Sequence, residues 1–369
     1  MTIAPTRPLG RTGLQVPTFG LGTCPLGGLF DVIDTNTADA AFDAAWCAGV
    51  RFYDTAPWYG RGLAELHVGH LLRGKPRDSY VLSTKVGRRF FRPADRRSFS
   101  PAPWVGGIGF DHVHDYSYDG ILRSYEDSLL RLGINSVDTL VIHDLDRGYF
   151  KDEAQLREQF RQLEKGGFRA LDELKSSGEI RAVGAGINEC GMIDLFLDRY
   201  PLDFFLVASR YTLLEQEIYD ELLRCSRSNV GIVIGGVFNS GILATGPTEG
   251  ARYEYTAARP ETLERVRRID AVCRRHGVPL AAAALQFPFG LEIVASVIPG
   301  TVTPAEIERN LALFQHPVPA DLWRELRHER LLRPDVPFPD ARATAHHGLR
   351  APGIAAVFPP PIPSLALEP

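Results

Sequence analysis

Eight short apolar runs, FGLGT, RFYDT, YVLSTKV, DTLVIHD, IRAVGAG, DFFLVAS, VGIVIGG and VASVIPG, recur along the chain between longer amphipathic stretches. This alternation constrains the fold more than any other feature, because apolar runs of strand length separated by helical periodicity build a parallel sheet. Ala38 to Ala48 places Phe42, Ala45 and Trp46 at i, i+3 and i+4, and Tyr118 to Leu132 reads as a second amphipathic helix. Strands apolar on both faces need helices as cover, and eight β/α units with none left over favour closure into an α/β barrel of the TIM (β/α)8 type. A doubly wound sheet fits less well, since GAGINE and GGIGFD both lack the third glycine of G-x-G-x-x-G. The opening PLGRTGLQVPTFG predicts a small N-terminal β-hairpin, so residues 1–332 read as one barrel. The proline-rich, aperiodic stretch 333–369 is expected to be a disordered or surface-draped tail.

A net charge of −4 with interspersed signs gives no broad positive field, which argues against a nucleic-acid partner. The five cysteines are odd in number, scattered and never spaced C-x-x-C, so neither a disulfide framework nor a zinc ribbon is expected. The N-terminal residues lack the apolar stretch of a signal peptide, and no run reaches the roughly 18 apolar residues of a membrane span. A soluble cytoplasmic protein, with no membrane partner and its oligomeric state left open, is the expectation.

In a closed α/β barrel, chemistry gathers at the C-terminal ends of the strands. Asp54 ends the second expected strand, Tyr59 follows in its loop, Lys85 ends the third and His143 the fourth. Each alone has a structural reading: a turn cap, a loop anchor, a surface cation, a core histidine. Four in succession point to a constellation instead. A phenol with an ordinary pKa of about 10 is a poor base at neutral pH unless its anion is stabilised. A lysine ammonium at about 4 Å would contribute on the order of 4 kcal/mol at an effective dielectric near 20. A carboxylate beside the lysine keeps it charged. Asp54 and Lys85 would thus tune Tyr59 as an acid or base, while His143 hydrogen-bonds the substrate oxygen.

Two expected connections are long, Arg88 to Ser117 and Asp144 to Gly167, and excess of this kind is commonly functional. The first carries DHVHD, residues 111–115, whose histidines and aspartates raise the possibility of a metal. Its position in a loop, with no further cluster to complete the shell, favours a solvated or substrate-gripping wall, so no metal is expected. Phe90, Phe91 and Trp104 in the same loop read either as a lid over a sugar ring or as packing, and Trp58 is better placed for the substrate wall.

The motifs DTAPWYG, STK and IHD, in this order, resemble the catalytic segments of the aldo-keto reductases, and the resemblance extends from PLGRTGLQVPTFGLGT to IPGTVTPAEIERN. It implies a catalytic tetrad of Asp54, Tyr59, Lys85 and His143 and a nicotinamide cofactor. SYEDSLLRLGINSVDTLVIHDLD, RYTLLEQ and GGVFNSGILATG are similar to the sugar-oxidising branch, acting on L-fucose or D-threo-aldoses, which implies oxidation of the C1 hydroxyl of an aldose to the lactone. Pyridoxal 4-oxidation, NADPH-dependent carbonyl reduction and a non-catalytic cofactor-binding regulatory subunit are the alternatives. At the adenine end the family's phosphate-gripping Lys and Arg are replaced by Gly300 and Glu306, which implies NAD, with NADP possible through Arg309. Asn310 matches the family residue that meets the adenine. At the nicotinamide end Ala208 replaces a carboxamide-binding Gln, beside Ser209, and Gly235 replaces the stacking aromatic. Asn188 and Tyr211 are candidate substitutes. Phe238 to Leu243, with Asn239 and Gly241 between them, are expected to pass the pyrophosphate with backbone donors.

Overall fold

The computed structural model describes residues 5–339. β1 (Thr6–Pro8) and β2 (Gln15–Pro17) pair antiparallel as the expected hairpin. β3 (Leu21–Gly22), β4 (Phe52–Asp54) and β5 (Val81–Val86) open the barrel, and β6 (Arg88–Phe91) and β7 (Asp111–His114) form an antiparallel hairpin beyond it. β8 (Thr139–His143), β9 (Ala182–Ile187), β10 (Phe204–Ala208) and β11 (Gly231–Gly235) continue the barrel. β12 (Arg252–Tyr253) and β13 (Thr256–Ala257) make a further hairpin, and β14 (Val294–Val297) completes the set. The eight parallel strands lie in the order β14-β11-β10-β9-β8-β5-β4-β3. Parallel bridges from Phe19 to Val297 and from Gly22 to Gly300 join the two ends of that order, so the cylinder closes.

Side chains alternate across each strand, and the two resulting sets form separate cores. The inward set, Phe52, Val141, Ala182, Phe204, Leu206, Val233, Ala295 and Ile298, fills the cylinder together with Leu9, Leu14 and Val16 of the N-terminal hairpin. The hairpin thereby plugs the lower end, and the chemistry is left to the upper rim. At Gly184 an added Cβ would stand 2.6 Å from the Phe204 ring, so glycine there makes room for the ring inside the barrel. The outward set packs under the helices.

The helix Thr35–Cys47 begins where the Asp34 side chain accepts from Thr37 N, and Tyr118–Leu132 begins where Ser117 does the same for Gly120 N. The expected loop 144–167 is only partly a loop. Helix Glu153–Gln162 passes through a π turn at Leu163–Gly167 into helix Phe168–Ser176. Gly166 and Gly167 read as breakers in the sequence, but they serve close packing: a Cβ on Gly167 would meet Tyr116 O at 2.2 Å, and one on Gly166 would meet Tyr118 Cβ at 2.9 Å. DHVHD is likewise not loop, since residues 111–114 are β7.

Residues 333–339, at the head of the expected tail, pack on the barrel. Val336 is 1% exposed, Arg333 pairs with Asp220 at 3.2 Å, and Tyr219 donates to Asp335 O at 3.1 Å. The rest of that tail lies outside the described residues. Among the described residues the five cysteines are unpaired, and no helix is long and apolar enough to cross a membrane.

Candidate active site

Strand alternation decides which polar residues face the barrel axis. On β5, Val81, Ser83 and Lys85 share the inward face, and on β8, Thr139, Val141 and His143 do, while Phe52 and Asp54 point inward from β4. Asp54, Lys85 and His143 therefore occupy the upper inward layer as the last or next-to-last residues of neighbouring strands. Lys85 Nζ donates to Asp54 Oδ2 at 2.6 Å and to Thr55 O at 2.8 Å, with both side chains at most 2% exposed.

Tyr59 arrives from the turn that follows β4. The turn can form because Gly60 takes φ 65° and lies so near Gly27 that a Cβ on Gly60 would stand 2.5 Å from Gly27 O. Lys85 Nζ then lies 4.7 Å from the centroid of the Tyr59 ring, and the Tyr59 ring meets His143 edge-on, 5.6 Å between centroids at 86°. The four residues expected from sequence are thus one cluster at one rim.

The electrostatics depart from the sequence expectation in one respect. Burial, followed by the charge of Asp54, raises the Tyr59 phenol well above its ordinary pKa instead of letting Lys85 draw it down. The reason is the 2.6 Å ion pair: the ammonium is matched by a carboxylate, so the nearby phenol meets little net positive charge while it is desolvated. Burial also raises the Asp54 carboxyl against the pull of Lys85. Burial first, with Arg88 and Lys85 adding to it, holds His143 neutral in spite of Asp144. The resting site holds a protonated phenol, a neutral imidazole and a buried ion pair. Such an arrangement can pass one proton and orient one substrate oxygen.

Trp58 and Trp104 line the approach. Trp104 is 2% exposed, and its ring lies 5.9 Å from both Tyr59 and Trp58. Arg61 holds this lid by donating to Pro101 O, Ala102 O and Phe110 O. Phe91 is 45% exposed, which sets it apart from the wall, whereas Phe90 packs 6.2 Å from His112. His112 sits 4.6 Å from Trp58, and burial plus Arg88 and Arg61 bring its pKa down to about 4. His114 falls to about 3 through burial and Arg88. Among the described residues no group of three or more His, Cys, Asp or Glu is arranged to hold a metal.

Sequence reasoning missed Arg88 and Asp146. Arg88 is 3% exposed and pairs with Asp144 at 3.0 Å, and Asp144 Oδ2 stands 3.4 Å from His143 Nε2. Asn188, a candidate for the nicotinamide, gives its amide hydrogens to Asp144 and Asp146 at 2.9 and 2.8 Å, so its NH2 group is committed to this network. Asp146 is raised to about 8 by burial and by Asp144. An arginine three residues past the strand-ending lysine was the available signal for Arg88.

The opposite side of the rim carries the cofactor candidates. Gly235 closes β11 on the inward face and offers no ring; Ser209 is half-buried with φ 62°. Tyr211 is wholly buried in the core against Phe287. Asn239 is spent on the loop itself, accepting from Thr212 Oγ1 at 2.6 Å and donating to Ser209 O at 3.1 Å. Phe238 and Leu243 are core residues, and the N–H groups of Asn239, Gly241 and Leu243 close turns onto Gly236 O and Phe238 O. That stretch presents fewer free donors than expected.

Gly300 is glycine because Pro25 Cγ would lie 2.7 Å from a Cβ there. Glu306 completes a capping box with Thr303: its Oε2 accepts from Val302 N at 2.8 Å and Thr303 N at 3.3 Å. The T-x-x-E spacing announced this role. Arg309 is exposed, and Asn310 is 3% exposed. An amide of low exposure at Asn310 and an exposed glycine at 300 suit a bound dinucleotide, whereas Gly235 is itself buried.

The family model described as "Aldo/keto reductase family" matches residues 18–328. The chain is 41% identical over 336 residues to a pyridoxal 4-dehydrogenase of Microbacterium luteolum, covering 88% of this chain and 97% of that protein. It is 39% identical over 332 residues to a D-threo-aldose 1-dehydrogenase of a Pseudomonas species, covering 87% and 96%. An aldo-keto reductase of Bacillus halodurans, solved in its holo form, superposes with a TM-score of 0.68 at 24% identity, covering 90% and 98%.

Proposed function

The chain belongs to the aldo/keto reductase family, and from that premise we propose that it is a nicotinamide-dependent aldose 1-dehydrogenase, oxidising the C1 hydroxyl of an L-fucose- or D-threo-aldose-type hemiacetal to the lactone. The observation that carries this reading is the buried Lys85–Asp54 pair, 2.6 Å long, set against the face of Tyr59 with His143 edge-on beside it. Tyr59 takes the hydroxyl proton as the C1–O bond becomes a carbonyl, and Lys85 stabilises the phenolate that accepts it. The neutral His143 hydrogen-bonds the same oxygen and fixes the reacting carbon. A bound nicotinamide supplies the acceptor for the hydride leaving C1. Trp58 and Trp104 cover the sugar ring and exclude water.

Asn310 and the rim at Gly300 would hold the dinucleotide. NAD is favoured over NADP because the Glu306 carboxylate already occupies the donors at the start of helix Pro304–Phe314, where a 2′-phosphate would otherwise be drawn. Pyridoxal is a second reading, favoured by the 41% relative. Pyridoxal closes on its own hydroxymethyl group to a cyclic hemiacetal, so both substrates undergo the same oxidation to a lactone. The protein is proposed to act in the cytoplasm.

Initial rates with L-fucose, D-arabinose and pyridoxal, each with NAD and NADP, test the proposal. NADH formation with an aldose supports it. Absence of turnover with every sugar, or catalysis only of carbonyl reduction with NADPH, overturns it.

A further inference from the structure

The turn that presents Tyr59 also presents a buried cation that spends its donors on main-chain carbonyls. Arg61 lies two residues after Tyr59 on the turn Tyr59–Gly62 and is 5% exposed. Its Nε donates to Pro101 O at 3.1 Å, its NH2 to Ala102 O at 3.2 Å and its NH1 to Phe110 O at 2.7 Å. NH1 also lies 3.3 Å from His112 Nδ1, and the Trp58 and Phe99 rings flank the guanidinium at 4.9 and 5.1 Å. A planar fork can reach carbonyls at both ends of a loop at once, whereas the donors of a lysine radiate from one point. Arg61 takes φ 54°, a left-handed backbone that a non-glycine residue adopts at a cost, so its surroundings must hold it there.

The segment gripped in this way, residues 92–110, joins β6 to β7 and carries Trp104. It is tied to the rim through glycines as well: Ile108 N donates to Gly60 O at 3.0 Å and Gly106 N to Gly28 O at 3.3 Å. Gly60 stands between Tyr59 and Arg61, so the segment takes its register from the same turn that delivers the phenol. Trp104 is thereby set 5.9 Å from the Tyr59 ring. We propose that Arg61 is a positioning residue for the substrate: it pins this segment so that Trp104 stays against Tyr59, and so governs how tightly the sugar ring is held without taking part in proton transfer. The identity of the ligand rests on the aldose reading; the pinning itself rests on the contacts of Arg61.

The test follows Trp104 and turnover side by side. Acrylamide quenching is measured in the unaltered protein and in R61K, with the share of Trp104 taken as the difference from W104F and from R61K/W104F. That share is expected to be shielded in the unaltered protein and to be quenched at least about threefold more readily in R61K. The KM for L-fucose with NAD is expected to rise about 3- to 10-fold in R61K, the worth of one aromatic contact, with kcat within about twofold and NAD affinity unchanged. A merely structural loss would lower the active fraction, and hence kcat, without moving KM. W104A should raise KM by the same factor, and R61K/W104A no further, because the arginine acts through the indole. Where R61K does not fold, R61Q leaves no lone buried charge and carries the same expectations.

A Trp104 open to acrylamide in the unaltered protein overturns the proposal, and so does a W104A with unchanged KM; neither needs an Arg61 variant to fold. An R61K in which Trp104 stays shielded or KM stays fixed overturns it as well, as do effects on KM that add in R61K/W104A. No turnover of L-fucose by the unaltered protein refutes the aldose reading, while the quenching comparison still decides whether Arg61 pins the segment.

Discussion

Removing one member of the Lys85–Asp54 pair should cost far more than removing both. At 2.6 Å and an effective dielectric near 20, the attraction is about 6 kcal/mol before desolvation is charged against it. Both side chains are at most 2% exposed, so a survivor left alone is a buried charge without a counter-ion. Breaking such a pair typically costs about 3–5 kcal/mol, and for a chain of this size that lowers Tm by roughly 4–6 °C. D54N and K85M should each show a loss of this order in urea titrations at pH 7. The double variant D54N/K85M should be no less stable than either single one, because no lone charge remains. A coupling of about 3 kcal/mol follows for the cycle. Turnover should fall by about 100-fold or more in each single variant, the scale of proton-transfer catalysis, while NAD affinity holds. If the two single losses simply add, or if D54N melts within about 2 °C of the unaltered protein, the pair is not the buried, interdependent unit described here.

The raised Tyr59 pKa has a signed consequence for rate. Oxidation needs the phenol to give up its proton before it can take one, so kcat/KM for oxidation should rise about tenfold per pH unit above neutrality until the phenol ionises, whereas reduction should be favoured in acid; a flat profile from pH 6 to 9 contradicts the assignment. Glu306→Gln keeps the capping box, since glutamine serves at that position, and removes the charge. It should raise the NADP to NAD ratio of kcat/KM without moving Tm, while Glu306→Arg should raise it further at a stability cost of about 1 kcal/mol. An unchanged ratio in both variants discredits the adenine-end argument. For Asp146, raised to about 8 by burial, the folded state holds a proton that the unfolded state releases near pH 4, so this group erodes stability as pH rises from about 4 to about 8. Asp146→Asn should raise Tm at pH 9 and leave it unchanged at pH 4, as read by scanning fluorimetry; equal gains at both pH values would refute the linkage.

The barrel was legible in the sequence because a closed parallel sheet needs eight apolar runs whose inward and outward positions alternate, and that same alternation placed Asp54, Lys85 and His143 on one rim. Tyr59 could be added from its spacing after β4. The electrostatic state of Tyr59 was not legible, because it depends on how tightly Asp54 holds Lys85, a distance no spacing contains. The helix spanning residues 153–176 was obscured by Gly166 and Gly167, which local propensity counts as breakers and which only the approach of Tyr116 and Tyr118 explains. Glu306 was read as a charge facing the cofactor although Thr303-Pro304-Ala305-Glu306 is a capping box visible in one line of sequence. Asn188 looked like a free amide because its partners, Asp144 and Asp146, are brought in by tertiary structure, and the backbone donors of the 238–243 stretch looked free because the turns they close onto Gly236 O and Phe238 O are not visible in spacing.

The proton-accepting role of Tyr59 is tested most directly by single-turnover NADH formation in Tyr59→Phe, at saturating NAD and L-fucose, beside an NAD titration of the same sample. Loss of the phenol oxygen should slow the step by about 1,000-fold, leave NAD affinity within about twofold, and abolish the rise with pH. A variant that keeps a tenth or more of the rate, or one in which the pH dependence survives, would mean that another group takes the proton.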